Sequence, residues 1–207
     1  LIPTCIPVSP KFRMQISKED ARKELGLPVD KQIILIMSGG VGCESIKPLI
    51  KKFRKYGIPE DRFYCILAGN NAKLKETIAK SCSSDKVQAV GFTDKVHLYL
   101  KAADVVISKS GGLSSTEVAV ANVPVVHFQP IPGCETCNAR FYEAKGMSKL
   151  AKNSKEALKI AEALLENEAE RQSMVEAQRR EINAYSADDV VKRVVEVVEA
   201  RNATEKE

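Results

Sequence analysis

The residues best suited to chemistry lie together at Lys109-Ser110-Gly111-Gly112-Leu113-Ser114-Ser115-Thr116-Glu117. An apolar run, Ala103 to Ile107, precedes them, and a second, Pro124 to Phe128, leads into Pro132-Gly133-Cys134-Glu135. Glycines at the turn let backbone N–H groups approach a ligand that a side chain would hold off. A helix opening at about Ser114 would aim its unpaired N–H donors at an anion. Glu117, expected one turn into that helix, supplies an acceptor for hydroxyl groups. A second glycine turn, Ser38-Gly39-Gly40-Val41-Gly42, follows the apolar run Ile33 to Met37.

Several familiar chemistries do not fit these residues. Gly40-Val41-Gly42-Cys43-Glu44-Ser45 begins like a dinucleotide fingerprint, but Ser45 stands where the third glycine belongs. Gly69-Asn70-Asn71 follows the second strand in place of the carboxylate that holds the ribose of NAD. No Walker loop and no Asp-x-Asp metal element occurs. Cys134-Glu135-Thr136-Cys137 has CxxC spacing, yet no second pair completes a zinc site and no thioredoxin-like context surrounds it. The two histidines are assigned no direct chemistry. His97 falls in an amphipathic helix, and His127 falls within an apolar strand, where a hydrogen-bonded core imidazole is expected.

These residues need a scaffold, and strand and helix alternate along the chain to provide one. Strands are expected at Ile33 to Met37, Phe63 to Ala68, Val87 to Val90, Ala103 to Ile107 and Pro124 to Phe128. Helices are expected from about Ser45 to Tyr56, from Asn71 to about Ser81, up to Ala102, from Ser114, and from Asn138 to Lys145. From Ser154 onward the chain reads as charged amphipathic helix with a break near Ala184-Tyr185-Ser186. Apolar strands alternating with helices imply an α/β fold, a doubly wound, mostly parallel sheet of Rossmann type. Ligands of such sheets sit beyond the carboxyl ends of the strands. That rule converges the loops Ser38 to Cys43, Gly91 to Asp94, Lys109 to Ser115 and Gln129 to Asn138 on one edge.

Composition agrees with one compact unit. The chain has 207 residues, 44% of them hydrophobic, and a formal charge of +5. Its basic residues are interspersed with acidic ones, so nothing compels nucleic-acid binding. The six cysteines are scattered and read as free thiols of a reducing compartment. No run approaches the roughly 18 apolar residues of a membrane-spanning helix. Leu1 to Pro10 is proline-punctuated and lacks an initiator Met, so a piece of a longer protein is expected. Residues 1–12 are read as a connector, 13–184 as the ligand-binding lobe and 185–207 as a helical tail.

In combination, Ser38 to Gly42, Val90-Gly91-Phe92-Thr93, Lys109 to Glu117 and Pro130 to Asn138 resemble the carboxyl-terminal lobe of GT-B glycosyltransferases. The resemblance is to the monogalactosyldiacylglycerol synthase and processive diacylglycerol glucosyltransferase group, related to the lipid II N-acetylglucosaminyltransferase. It runs from about Cys5 to Ala151. It implies a donor lobe for a UDP-hexose, facing an amino-terminal lobe that binds the acceptor and supplies the catalytic base. Gly39, Gly40 and Gly42 would approach the diphosphate, Phe92 would hold the uracil and Ser114 would meet a phosphate oxygen. Glu117 would take the ribose hydroxyls. Apart from the resemblance, Leu113 and Ser115 would add backbone donors at the helix start, and Lys109 would either offset phosphate charge or simply solvate the end of its strand.

Glu135 matches the acidic member of the pair that grips the sugar, Cys134 departs from that pair's usual polar residue, and Asn138 is a further polar candidate. The resemblance implies glucose or galactose transfer to a diacylglycerol-type lipid, with no metal and no cofactor. The fragment alone would be inactive. The complete protein would be cytoplasmic and peripheral to a membrane, with no nucleic-acid partner. Two other readings stay open: a UDP-N-acetylglucosamine 2-epimerase-like enzyme, and a non-catalytic module that binds a partner through its helical tail.

Overall fold

The computed structural model describes residues 4–37, 47–81, 85–128 and 130–204. Six parallel strands form one sheet among them: β1 (Gln32–Met37), β2 (Arg62–Gly69), β3 (Val87–Gly91), β4 (Val105–Ser108), β5 (Val125–Phe128) and β6 (Lys149–Ala151). Their order across the sheet is β3-β2-β1-β4-β5-β6. The chain winds outward from β1 to β3, then returns to place β4 on the other side of β1. That reversal opens a crevice at the carboxyl ends of β1 and β4, where sheets of this kind hold ligands.

The β1 run Ile33-Ile34-Leu35-Ile36 explains the two-sided burial. Alternate side chains point to opposite faces, so Ile34 and Ile36 enter one core while Ile33 and Leu35 enter the other. The first core is closed by α2 (Lys47–Tyr56), α3 (Ala72–Ser81) and α7 (Ser154–Glu166). The second lies under α1 (Lys18–Leu25), α4 (Val96–Ala102) and α5 (Gly112–Ala121), with Val8 and Phe12 of the amino-terminal segment buried in it. Each helix takes its register from its apolar residues: Leu49, Ile50 and Phe53 fall on the inner face of α2, and Leu74 and Ile78 on that of α3.

The remaining helices are α6 (Cys134–Ala144), α8 (Glu168–Glu181) and α9 (Ser186–Thr204). The break read near Ala184 separates α8 from α9. A second break falls at Asn167, whose side chain caps α8 by accepting the Glu170 N–H. Along α9, Val191, Val194, Val195, Val197 and Val198 are exposed. Among the described residues no helix is long and apolar enough to cross a membrane.

Three boundaries differ from the sequence reading in ways that matter. β4 starts at Val105, because the Asp104 carboxylate turns back to accept the Ile33 N–H at 2.7 Å and pairs with Arg22 at 2.7 Å. α5 opens at Gly112 rather than Ser114, which moves Glu117 out of the first turn. α6 opens at Cys134 rather than Asn138, so Cys134 and Glu135 form its first turn instead of a loop. Strand β6 and helix α1 were not foreseen: the three-residue β6 is too short to show a period, and it forms because it pairs with β5.

Candidate functional site

Two helix amino ends meet beyond the carboxyl ends of β4 and β5. Gly111 is the N-cap of α5 and has no side chain to cap it. The first intrahelical bond there runs from the Ser115 N–H to the Gly111 carbonyl at 2.9 Å. The amides of Gly112, Leu113 and Ser114 precede that bond, as the opening amides of any α-helix do, and carry the positive end of its dipole. Gly133 caps α6 with φ of +104°, a conformation that glycine adopts without strain and other residues rarely do.

The two ends are tied together by polar contacts. The buried Ser110 hydroxyl donates to the Glu135 carbonyl at 2.7 Å, and the Asn138 amide donates to the Ser110 carbonyl at 3.0 Å. The Glu135 carboxylate accepts the Ile131 N–H through Oε2 at 2.7 Å. Its Oε1 lies 3.8 Å from where a Cβ on Gly111 would stand, so a carboxylate borders the α5 amino end. A negative group there repels a phosphate and suits sugar hydroxyls, to which it offers acceptor sites only.

Leu113, Ser114 and Glu117 lie on the outer side of α5, while Ser115, Thr116 and Val118 face inward. The spacing of three and four residues puts Glu117 one turn beyond Leu113 and Ser114 on the same surface. Burial raises the Glu117 pKa, and among the described residues no hydrogen bond or ion pair engages its carboxylate. A partly desolvated carboxylate without a donor is a group waiting for one. Lys109, partly buried, stands just past the end of β4.

Phe92 is 78% exposed at the end of β3, an apolar ring left uncovered. The loop it opens leads to α4, which packs against α5, so both approach the site from the same face of the sheet. Gly39, Gly40 and Gly42 lie outside the described residues. Leu113, Ser114, Glu117, Lys109, Glu135 and Asn138 are gathered around the ends of β4 and β5. Asn138 already directs one of its two amide N–H groups to the Ser110 carbonyl.

Sequence reasoning missed one contributor. Ile6 reaches Gly112, where an added Cβ would come within 2.9 Å of its Cδ1. The segment carrying Ile6 is held by Ser186, whose hydroxyl donates to the Ile6 carbonyl at 3.2 Å. Nothing in a run of prolines and aliphatics announces that contact. His127 is the hydrogen-bonded core imidazole expected of its apolar strand: it and Ser115 are buried, and Ser115 Oγ lies 3.1 Å from His127 Nε2. His97, by contrast, packs edge-on against Phe12 at 6.3 Å.

The sequence pattern of the family described as Glycosyl transferases group 1 matches residues 17–181. A curated relative, the processive diacylglycerol beta-glucosyltransferase of Bacillus pumilus (strain SAFR-032), is 27% identical over 93% of this chain and 50% of its own length. The chain thus spans about half the length of the curated relatives it matches. Among solved structures, MurG of Acinetobacter baumannii is similar with a TM-score of 0.64 and 21% identity, covering 94% of this chain and 57% of that one. The structure of S. aureus MnaA with UDP is similar with a TM-score of 0.64 and 19% identity, covering 90% of this chain and 50% of that one.

Proposed function

From the premise that this chain belongs to the glycosyl transferases group 1 family, we propose that it is the donor-binding half of a UDP-hexose-dependent hexosyltransferase acting on a diacylglycerol-type lipid. The observation that carries the reading is the glycine-capped amino end of α5 with the Glu117 carboxylate, which has no partner among the described residues, one turn further along the same surface. A nucleoside diphosphate presents the matching groups: anionic oxygens for the amides of Gly112, Leu113 and Ser114, and ribose hydroxyls for Glu117. Phe92 offers its backbone groups and an exposed ring to the uracil.

The chemistry follows from charge. As the bond from the anomeric carbon to the diphosphate breaks, negative charge grows on the departing oxygen, and a helix amino end worth roughly half an elementary charge stabilises it. Lys109 adds a cation at the strand end. This arrangement performs the role a divalent metal plays elsewhere, and the proposal is a metal-independent transfer without a cofactor. Glu135 borders the sugar and fixes it through its hydroxyls, which holds the anomeric carbon in line with the incoming acceptor oxygen. The acceptor hydroxyl loses its proton to a base outside this chain, so the chain alone binds donor and turns over nothing.

The lipid acceptor is supported by the relative from Bacillus pumilus, whose name specifies diacylglycerol and glucose. Peripheral association of the full-length protein with the cytoplasmic face of a membrane fits the charge of +5. It also fits α2, where Lys51, Arg54 and Lys55 are exposed and no acidic residue occurs. The structural likeness to the UDP-bound MnaA supports UDP as the nucleotide.

The test is a titration of the 15N-labelled chain with UDP. The expected result is saturable shift changes at the amides of Phe92, Leu113, Ser114 and Glu117. No change at these amides at millimolar UDP would refute the site.

A further inference from the structure

Beneath the amino end of α5 lies a polar contact that the proposed reaction does not yet use. His127, on β5, is fully buried. Its Nε2 stands 3.1 Å from the hydroxyl of Ser115, also buried, and its Nδ1 has no hydrogen-bond partner among the described residues. The Tyr142 ring packs edge-on against the imidazole at 5.5 Å. The Tyr142 hydroxyl lies 3.4 Å from Thr116 Oγ1, which donates to the Gly112 carbonyl at 2.8 Å. Ser115 and Thr116 thus fasten the first turn of α5 to β5 and α6 by side-chain contacts.

The unpaired nitrogen identifies the tautomer. If Ser115 donated to Nε2, the buried Nδ1 would carry a proton with no acceptor, a costlier defect than an unpaired lone pair. The favourable arrangement has the Nε2–H donating to Ser115 Oγ, with Nδ1 as an empty acceptor. Burial pushes the imidazole down to about 4, so it stays neutral through the physiological range.

An apolar side chain of similar size would fill this place with no unpaired imidazole nitrogen, but it would leave the buried Ser115 hydroxyl without the imidazole. What the imidazole adds is direction. Ser115 donates the first intrahelical N–H of α5, so its position fixes those of the three amides ahead of it.

We propose that His127 is a positioning residue for the nucleotide: by holding Ser115 it aims the amides of Gly112, Leu113 and Ser114 at the diphosphate. The inference rests on the reading of the α5 amino end as the diphosphate site. It separates His127 from a core residue that matters to stability alone.

The experiment measures UDP binding by calorimetry for the wild-type chain, His127→Leu, Ser115→Ala, the double variant and His127→Gln, with a thermal melt of each. Loss of one neutral hydrogen bond corresponds to a roughly threefold to tenfold weaker affinity. Each single variant is expected to show that loss, the double variant to be no weaker than either single one, and His127→Gln, whose amide N–H reaches the Nε2 position, to recover most of it. The His127 Nε2 15N resonance is expected to be protonated and to shift on UDP addition. His127→Leu that melts lower yet binds UDP as the wild type does overturns the proposal, as do losses that simply add. If His127→Leu does not fold, unchanged affinity in Ser115→Ala overturns it alone. A wild-type chain that does not bind UDP at all overturns the donor-site reading itself, and the positioning role falls with it.

Discussion

Replacing Glu117 by Gln keeps the side chain's size and removes its charge, which separates binding from stability at one position. Among the described residues no donor engages this partly desolvated carboxylate, and burial holds its pKa above the ordinary carboxylate value. A folded-state pKa above the unfolded one means that the native state binds the proton more tightly, so at neutral pH ionised Glu117 disfavours folding. Glu117→Gln is therefore expected to melt at or above the wild-type temperature at pH 7.

UDP affinity should move the other way. A hydrogen bond to a charged acceptor contributes about 1.5–3 kcal/mol, so losing one such bond from a ribose hydroxyl weakens binding by roughly 10- to 150-fold. Calorimetry with UDP and 2′-deoxy-UDP isolates the contact. The wild-type chain should discriminate strongly between the two nucleotides, and the variant should bind them about equally. Unchanged UDP affinity in the variant, or unchanged discrimination against the deoxy ligand, refutes the assignment of the ribose to Glu117.

Three further outcomes follow from the same geometry. Glu135→Gln removes a charge that borders the α5 amino end; UDP-hexose should bind about tenfold more weakly while UDP alone binds as well or better, as competition calorimetry would show. Gly133→Ala forces an L side chain into φ of +104° and should lower stability in a urea titration by about 1–3 kcal/mol. His127 titrates at about 4 in the fold and near 6.5 when unfolded. The unfolded state therefore binds the extra proton between those values, and stability should fall as pH drops through that window, by up to about 3 kcal/mol. That component should vanish in pH-dependent melts of His127→Leu.

The fold was legible because its causes are local. Unbroken apolar strands such as Ile33 to Ile36, separated by amphipathic helices, bury both faces only in a parallel sheet covered on each side. The site's location was legible for the same reason, since glycine and hydroxyl residues just past β4 and β5 must lie at the carboxyl edge. Helix starts were less so. α5 and α6 begin two and four residues earlier than their sequences suggest, because the caps are glycines, Gly111 and Gly133, whose effect depends on backbone torsion and not on a capping side chain. β6 needed β5 beside it before its three residues could count as a strand.

By itself, then, the sequence determined a doubly wound sheet, the edge that carries ligand loops, and the residue types proposed to meet a diphosphate and its sugar. Only the tertiary structure decided that Glu117 has no partner among the described residues, that Glu135 turns its carboxylate toward Gly111, that Ile6 covers Gly112, and that His127 grips Ser115. Periodicity reports which way a side chain points from its own element. A hydrogen bond between β5 and α5, or a contact reaching from residue 6 to residue 112, depends on how elements pack once the chain has closed, and no local pattern encodes that distance.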